Sequence, residues 1–99
     1  MDPLVYRKVP LFVEAMQLRI DTAERVLEWL TQHNTQYMLD YDIFQHPVIR
    51  IPGQEGIDVL MEHDWLIRGY GGEFYKCSPQ RFKHEYTIEK RENSESFTN

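Results

Sequence analysis

Between Trp65 and Lys83 the chain sets four basic side chains, Arg68, Lys76, Arg81 and Lys83, among the aromatic ones Trp65, Tyr70, Phe74 and Tyr75. Rings that stack on a base, next to cations that hold a phosphate, suit a nucleotide or a short single strand. In a strand, however, alternate side chains face the same way, so half of this set is expected simply to pack. The formal net charge of −5, from Lys+Arg 11 against Asp+Glu 16, opposes long nucleic acid and anionic membrane more than it opposes a small ligand.

Three other residue types invite chemistry. Cys77 falls where a strand meets a helix start, a place where backbone amides can lower a thiol pKa. A catalytic thiol also needs a histidine and an orienting group in contact, with His63 and His84 the candidate neighbours, so a small buried hydrophobe is the simpler expectation. His33, His46, His63 and His84 show no close ligand spacing and there is no second cysteine, so no metal site is expected. Glu14 interrupts an apolar strand, where an unpaired carboxylate is costly. An ion pair with Arg7, Arg68 or another basic group explains it, and a ligand-binding carboxylate is the alternative. Gly69, Gly71 and Gly72 lie inside a hairpin rather than opening a helix, so they form no phosphate loop. With no carboxylate pair and no Ser-His-Asp order, neither enzyme activity nor a cofactor is expected.

The elements that position these residues are readable from periodicity. Val5 to Val9 and Leu11 to Leu18 read as extended pieces separated by Pro10, the second apolar on both faces and hence expected to be a central strand. Asp21 and Glu24 resemble a capping box, opening a helix whose stripe is Ala23, Val26, Leu27 and Leu30, and which closes near Asn34. Tyr37 to Phe44, Val48 to Ile51 and Ile57 to Met61 read as strands, with His46-Pro47, Pro52-Gly53 and His63-Asp64 as breaks. Trp65 to Tyr70 and Glu73 to Cys77, joined through Gly71-Gly72, form a hairpin in which both glycines are expected at positive φ. Ser78-Pro79 caps a short helical turn over 79–82, and Glu85 to Glu89 reads as a last strand. The fold class is therefore α+β: a mostly antiparallel, strongly twisted or partly rolled sheet with one main helix over 21–34. Its 99 residues support one domain over 1–89, followed by a polar frayed tail over 90–99.

Tyr6-Arg7-Lys8-Val9-Pro10 leading to Val13-Glu14-Ala15-Met16-Gln17, and Asp64-Trp65-Leu66-Ile67-Arg68-Gly69 followed by Gly72-Glu73-Phe74-Tyr75-Lys76-Cys77-Ser78-Pro79, Phe82 and Tyr86, carry a resemblance. Both blocks are similar to the opening and ending of small accessory proteins encoded by bacteriophages and prophages. The chain departs from that pattern at His63, where a glycine normally precedes the aspartate. The resemblance covers about half of the chain and implies a phage gene product in the bacterial cytoplasm, without implying an activity.

One cysteine and an amino terminus without basic-then-apolar order agree with a cytoplasmic protein, and no apolar run is long enough for a membrane span. The leading expectation is a non-enzymatic protein that binds a host protein through Glu14, Trp65, Arg68, Tyr70, Tyr75, Lys76 and Arg81. The alternative is a small homo-oligomer that sequesters a nucleotide-like signalling molecule, and a cysteine-dependent enzyme comes third.

Overall fold

The computed structural model describes residues 2–6 and 11–88. Within them the order is β1 (Glu14–Gln17), α1 (Ala23–Gln32), β2 (Met38–Tyr41), β3 (Pro47–Gly53), β4 (Gly56–Leu60), β5 (Trp65–Arg68), β6 (Phe74–Cys77) and α2 (Pro79–Glu85). The class is α+β: two helices and two small antiparallel sheets, ordered β1-β5-β6 and β2-β3-β4, neither closed.

The single rolled sheet expected from the short turns is thus divided. Met61 to Asp64 bends sharply, with His63 at φ +81°, and Leu18 clasps the bend by donating to the Asp64 carbonyl and accepting from the His63 amide. That clasp hands β5 to β1 instead of letting it extend the β2-β3-β4 meander. The two sheets still touch, because the Lys76 ammonium donates to the Val59 carbonyl at 3.0 Å.

α1 forms where the apolar stripe predicts it, burying Val26 and Leu30, and Asn34 at φ +56° follows its end. Its N-cap is Thr22, not Asp21, and no side chain caps the helix. The Thr22 hydroxyl donates to the Gln17 carbonyl at 2.6 Å and accepts from the Arg19 amide, so it ties the strand to the helix, while Asp21 pairs with Arg19. The main core, Leu18, Val26, Leu30, Ile49, Ile51, Leu60 and Leu66, lies between α1 and one face of each sheet, with Met16, Trp29 and Phe74 packed against it.

Four further expectations are corrected. β1 is an edge strand, and β5 has neighbours on both sides. Only the second half of β1 is sheltered: Glu14 and Ala15 are exposed, while Met16 packs against the main core. Val5 and Tyr6 are exposed and belong to no strand, while the remainder of the expected Val5 to Val9 strand lies outside the described residues. In the hairpin turn the Gly72 amide donates to the Gly69 carbonyl and Gly72 alone of the glycine pair takes positive φ, +89°, so the reversal is made by one left-handed residue. The late helix runs to Glu85, held by the Ser78 hydroxyl accepting from Arg81 N–H and by an Arg81–Glu85 ion pair one turn apart. Glu85 is therefore helical, Tyr86 to Ile88 form no strand, and Glu89 and the tail over 90–99 lie outside the described residues.

Candidate functional site

Strand register sorts the hairpin side chains. Trp65 stands opposite Cys77 and Ile67 opposite Tyr75, with Ala15 and Gln17 of β1 in the same rows. Leu66, Lys76, Arg68, Phe74, Met16 and Glu14 occupy the other face, the one turned to the main core. The seven residues singled out from sequence are thus divided between the two faces, the turn (Tyr70) and α2 (Arg81).

On the core face each cation meets a carboxylate. Arg68 Nη1 lies 3.7 Å from Glu14 Oε1, directly across the ladder, and Lys76 Nζ lies 3.8 Å from Asp64 Oδ2. Glu14 is largely exposed, so the cost of burying a charge that made it notable does not arise. Arg81 is engaged by Glu85 at 2.8 Å, and that partner raises its pKa further. Phe74 is spent on packing, edge-on to Trp29 with ring centroids 5.0 Å apart. Tyr70 stands at the turn, 82% exposed, away from the other rings.

The opposite face carries the aromatic assembly. α2 has seven residues, too few to be stable alone, and is held to the sheet by Phe82 and Tyr86. Phe82 stacks on Trp65 with centroids 3.7 Å apart and ring planes 3° from parallel, and Tyr86 stacks on Phe82 at 4.9 Å. The Tyr75 and Tyr86 hydroxyls share a hydrogen bond of 3.2 Å. Burial first, and that bond second, push the Tyr75 phenol up to about 12. Beneath α2, Ile67 and Cys77 are buried outside the main core, and burial pushes the Cys77 thiol upward. A thiol in that state is protonated at neutral pH, the opposite of an activated nucleophile.

Beside the stack opens a cleft of about 360 Å³, walled by Leu11, Phe12, Val13, Trp65, Phe82 and Ile88, with Glu85 at its rim. Its apolar walls are open to solvent: Leu11 is 68%, Phe12 64% and Ile88 85% exposed. A second hollow of about 720 Å³ lies between the β3–β4 and β5–β6 turns, but Glu55, Asp58 and Glu73 line it, which disfavours an anionic ligand. Comparison with known proteins finds no matching family model, no similar curated protein and no similar solved structure.

Phe82, Leu11, Phe12 and Ile88 were not among the residues the sequence singled out. The signal for Phe82 was present, since Phe82 and Tyr86 sit four residues apart behind a Ser-Pro cap, the spacing of two rings on one helical face. Among the described residues no group of three or more His, Cys, Asp or Glu side chains is placed to hold a metal ion, and no helix is long and apolar enough to cross a membrane.

Proposed function

We propose that this protein works by binding, without catalysis, and that the cleft beside the Trp65–Phe82–Tyr86 stack receives an apolar segment of a protein partner. The observation that carries this reading is the pairing of a rigid aromatic floor with solvent-exposed Leu11, Phe12 and Ile88 around it. Apolar and aromatic groups already held in place lose little freedom on binding and are favoured at the centres of interfaces. The resemblance of the two ends of the chain to phage accessory proteins makes a bacterial host protein the partner to seek. The raised thiol pKa of Cys77 speaks against the cysteine-enzyme alternative.

A nucleotide-like ligand has less in its favour, because Trp65 and Phe82 already cover one another and Arg68, Lys76 and Arg81 each face a carboxylate. The test is affinity capture from bacterial lysate with wild type, a Leu11→Ser/Phe12→Ser double variant and Tyr70→Ala. The cleft variant loses a captured protein that wild type and Tyr70→Ala both retain. Identical capture by all three, or stabilisation of the wild type by mono-, di- or cyclic nucleotides in a thermal-shift screen, overturns the reading.

A further inference from the structure

The aromatic cleft belongs to the first sheet, and the second sheet leaves its outer strand open. Among the described residues β2 is paired on one side only and all four of its residues are exposed, although Leu39 stands in one cross-strand row with the buried Ile49 and Leu60. Tyr37, Met38, Leu39, Tyr41, Ile43 and Phe44 are all exposed around this edge, with Met38 at 65% and Tyr41 at 54%. Free strand edges of this kind are templates for another strand.

The direction of the free backbone groups follows from the turn. Asp42 N–H donates to the His46 carbonyl, so the even-numbered residues of β2 aim their backbone groups at β3, and Leu39 and Tyr41 aim theirs outward. Tyr41 N–H accordingly finds no strand and donates instead to the Asp40 carboxylate at 2.8 Å. Pro47 opposes Tyr41, at a position whose nitrogen points away from β2, so the missing N–H costs this ladder nothing.

We propose that a second copy of this chain pairs with β2, antiparallel about a two-fold axis at Leu39, so that two sheets become one continuous sheet. This goes beyond the cleft, since it uses the other sheet and different residues. The segment complements itself in this register. Leu39 faces Leu39 of the second copy, Tyr37 faces its Tyr41, and the apolar row Leu60–Ile49–Leu39 runs unbroken into its symmetry mate.

Neighbouring registers are less favourable. An axis at Asp40 sets two aspartates directly opposite, a destabilising like-charge pair. An axis at Met38 pairs most of β2 with the loop before it. A slip of one residue turns the apolar row toward the opposite face of the partner sheet. In the chosen register Asp40 gives up the Tyr41 amide and keeps Arg50, which lies 3.7 Å away, while facing Met38 of the second copy.

The experiment is sedimentation of the full chain across a range of concentrations, with circular dichroism and an unfolding midpoint as controls. Wild type forms a dimer that dissociates on dilution. Leu39→Lys and Leu39→Glu each weaken it about tenfold or more, and an equal mixture of the two restores it, because only a two-fold at this position sets residue 39 against itself. Wild type that stays monomeric throughout, a dimer that survives both substitutions, or a mixture that stays monomeric overturns the proposal. If the Leu39 variants do not fold, Tyr41→Pro decides against a Tyr41→Ala control, since both lose the ring and the proline also loses the outward amide: loss of the dimer beyond that of Tyr41→Ala supports the pairing and persistence refutes it. The Leu11→Ser/Phe12→Ser variant keeps the dimer, so failure of the cleft reading and failure of this one are distinguishable.

Discussion

Replacing Phe82 with alanine tests the joint on which the candidate site depends. A fully buried phenylalanine costs about 3–5 kcal/mol when truncated to alanine, and Phe82 is half-buried, so roughly 2 kcal/mol is expected. Trp65→Ala at the other side of the stack is expected to cost a similar amount. Because the rings lie 3.7 Å apart and nearly parallel, the two losses overlap. The double variant should be less destabilised than the sum of the singles by about 0.5–1.5 kcal/mol, the range measured for aromatic pairs. A domain of this size has about 5–15 kcal/mol to lose, so every member of the cycle is measurable by urea denaturation with the slope held as a check on two-state behaviour. Strict additivity within about 0.3 kcal/mol would mean that the rings do not stack as described. A second readout on the same variant is independent of stability. With α2 loosened, the Tyr75 phenol loses its bond to Tyr86, and its ionisation near pH 12 moves down toward the ordinary tyrosine range. An ultraviolet titration that leaves a late phenol in Phe82→Ala contradicts the argument.

In the wild type, that titration should show a late phenol, and Tyr75→Phe should remove it. The Tyr75 phenol has its folded pKa raised above the unfolded value of 10, so the stability it carries is present below pH 10 and is lost as pH climbs toward 12. Asp42 behaves in the reverse sense. His46 N–H at 2.9 Å, with Phe44 N–H beside it, holds its carboxyl below the usual value, so its contribution is full above the ordinary carboxylate range and fades as pH falls through the lowered pKa. Asp42→Ala should flatten the acid limb of a melting-temperature profile, and an unchanged limb contradicts the bonding of the β2–β3 turn. Cys77 should react with Ellman's reagent only slowly at neutral pH and rapidly once the chain is unfolded; fast labelling of the native protein contradicts its burial under α2.

The elements legible in the sequence are those whose signal is local. The β5–β6 hairpin announces itself by aromatic and β-branched runs around glycines, α1 by its stripe of Val26 and Leu30, and α2 by Ser78-Pro79. What depended on distant partners was misread. Leu11 to Leu18 is apolar on both faces, which from sequence suits a central strand, whereas β1 is an edge with its first two residues exposed and β5 takes the centre. Tyr86, Thr87 and Ile88 are good strand formers and drew the helix end back to Phe82, which hid the Phe82–Tyr86 stack and with it the cleft. Of the ion pairs, Glu14–Arg68 was readable as a possibility, while Lys76–Asp64 and Arg81–Glu85 require the bend before β5 and the full length of α2.

The first sheet is covered on both sides, and this separates stability from recognition. Its core face anchors Leu66, Met16 and Phe74 against α1, and its other face carries Ile67 and Cys77 under α2. Leu66 and Ile67 are fully buried neighbours on one strand, so truncating either removes packing on one side of the same sheet at about 2–5 kcal/mol. Leu11 and Phe12, by contrast, project from the lead-in to β1 and are mostly exposed, outside both buried layers. Polar replacement there removes exposed apolar surface and leaves both buried layers intact. A large apolar residue that the fold does not need is free to serve recognition, and that freedom is the physical reason for placing the partner at this cleft rather than at the better-packed rings of the hairpin.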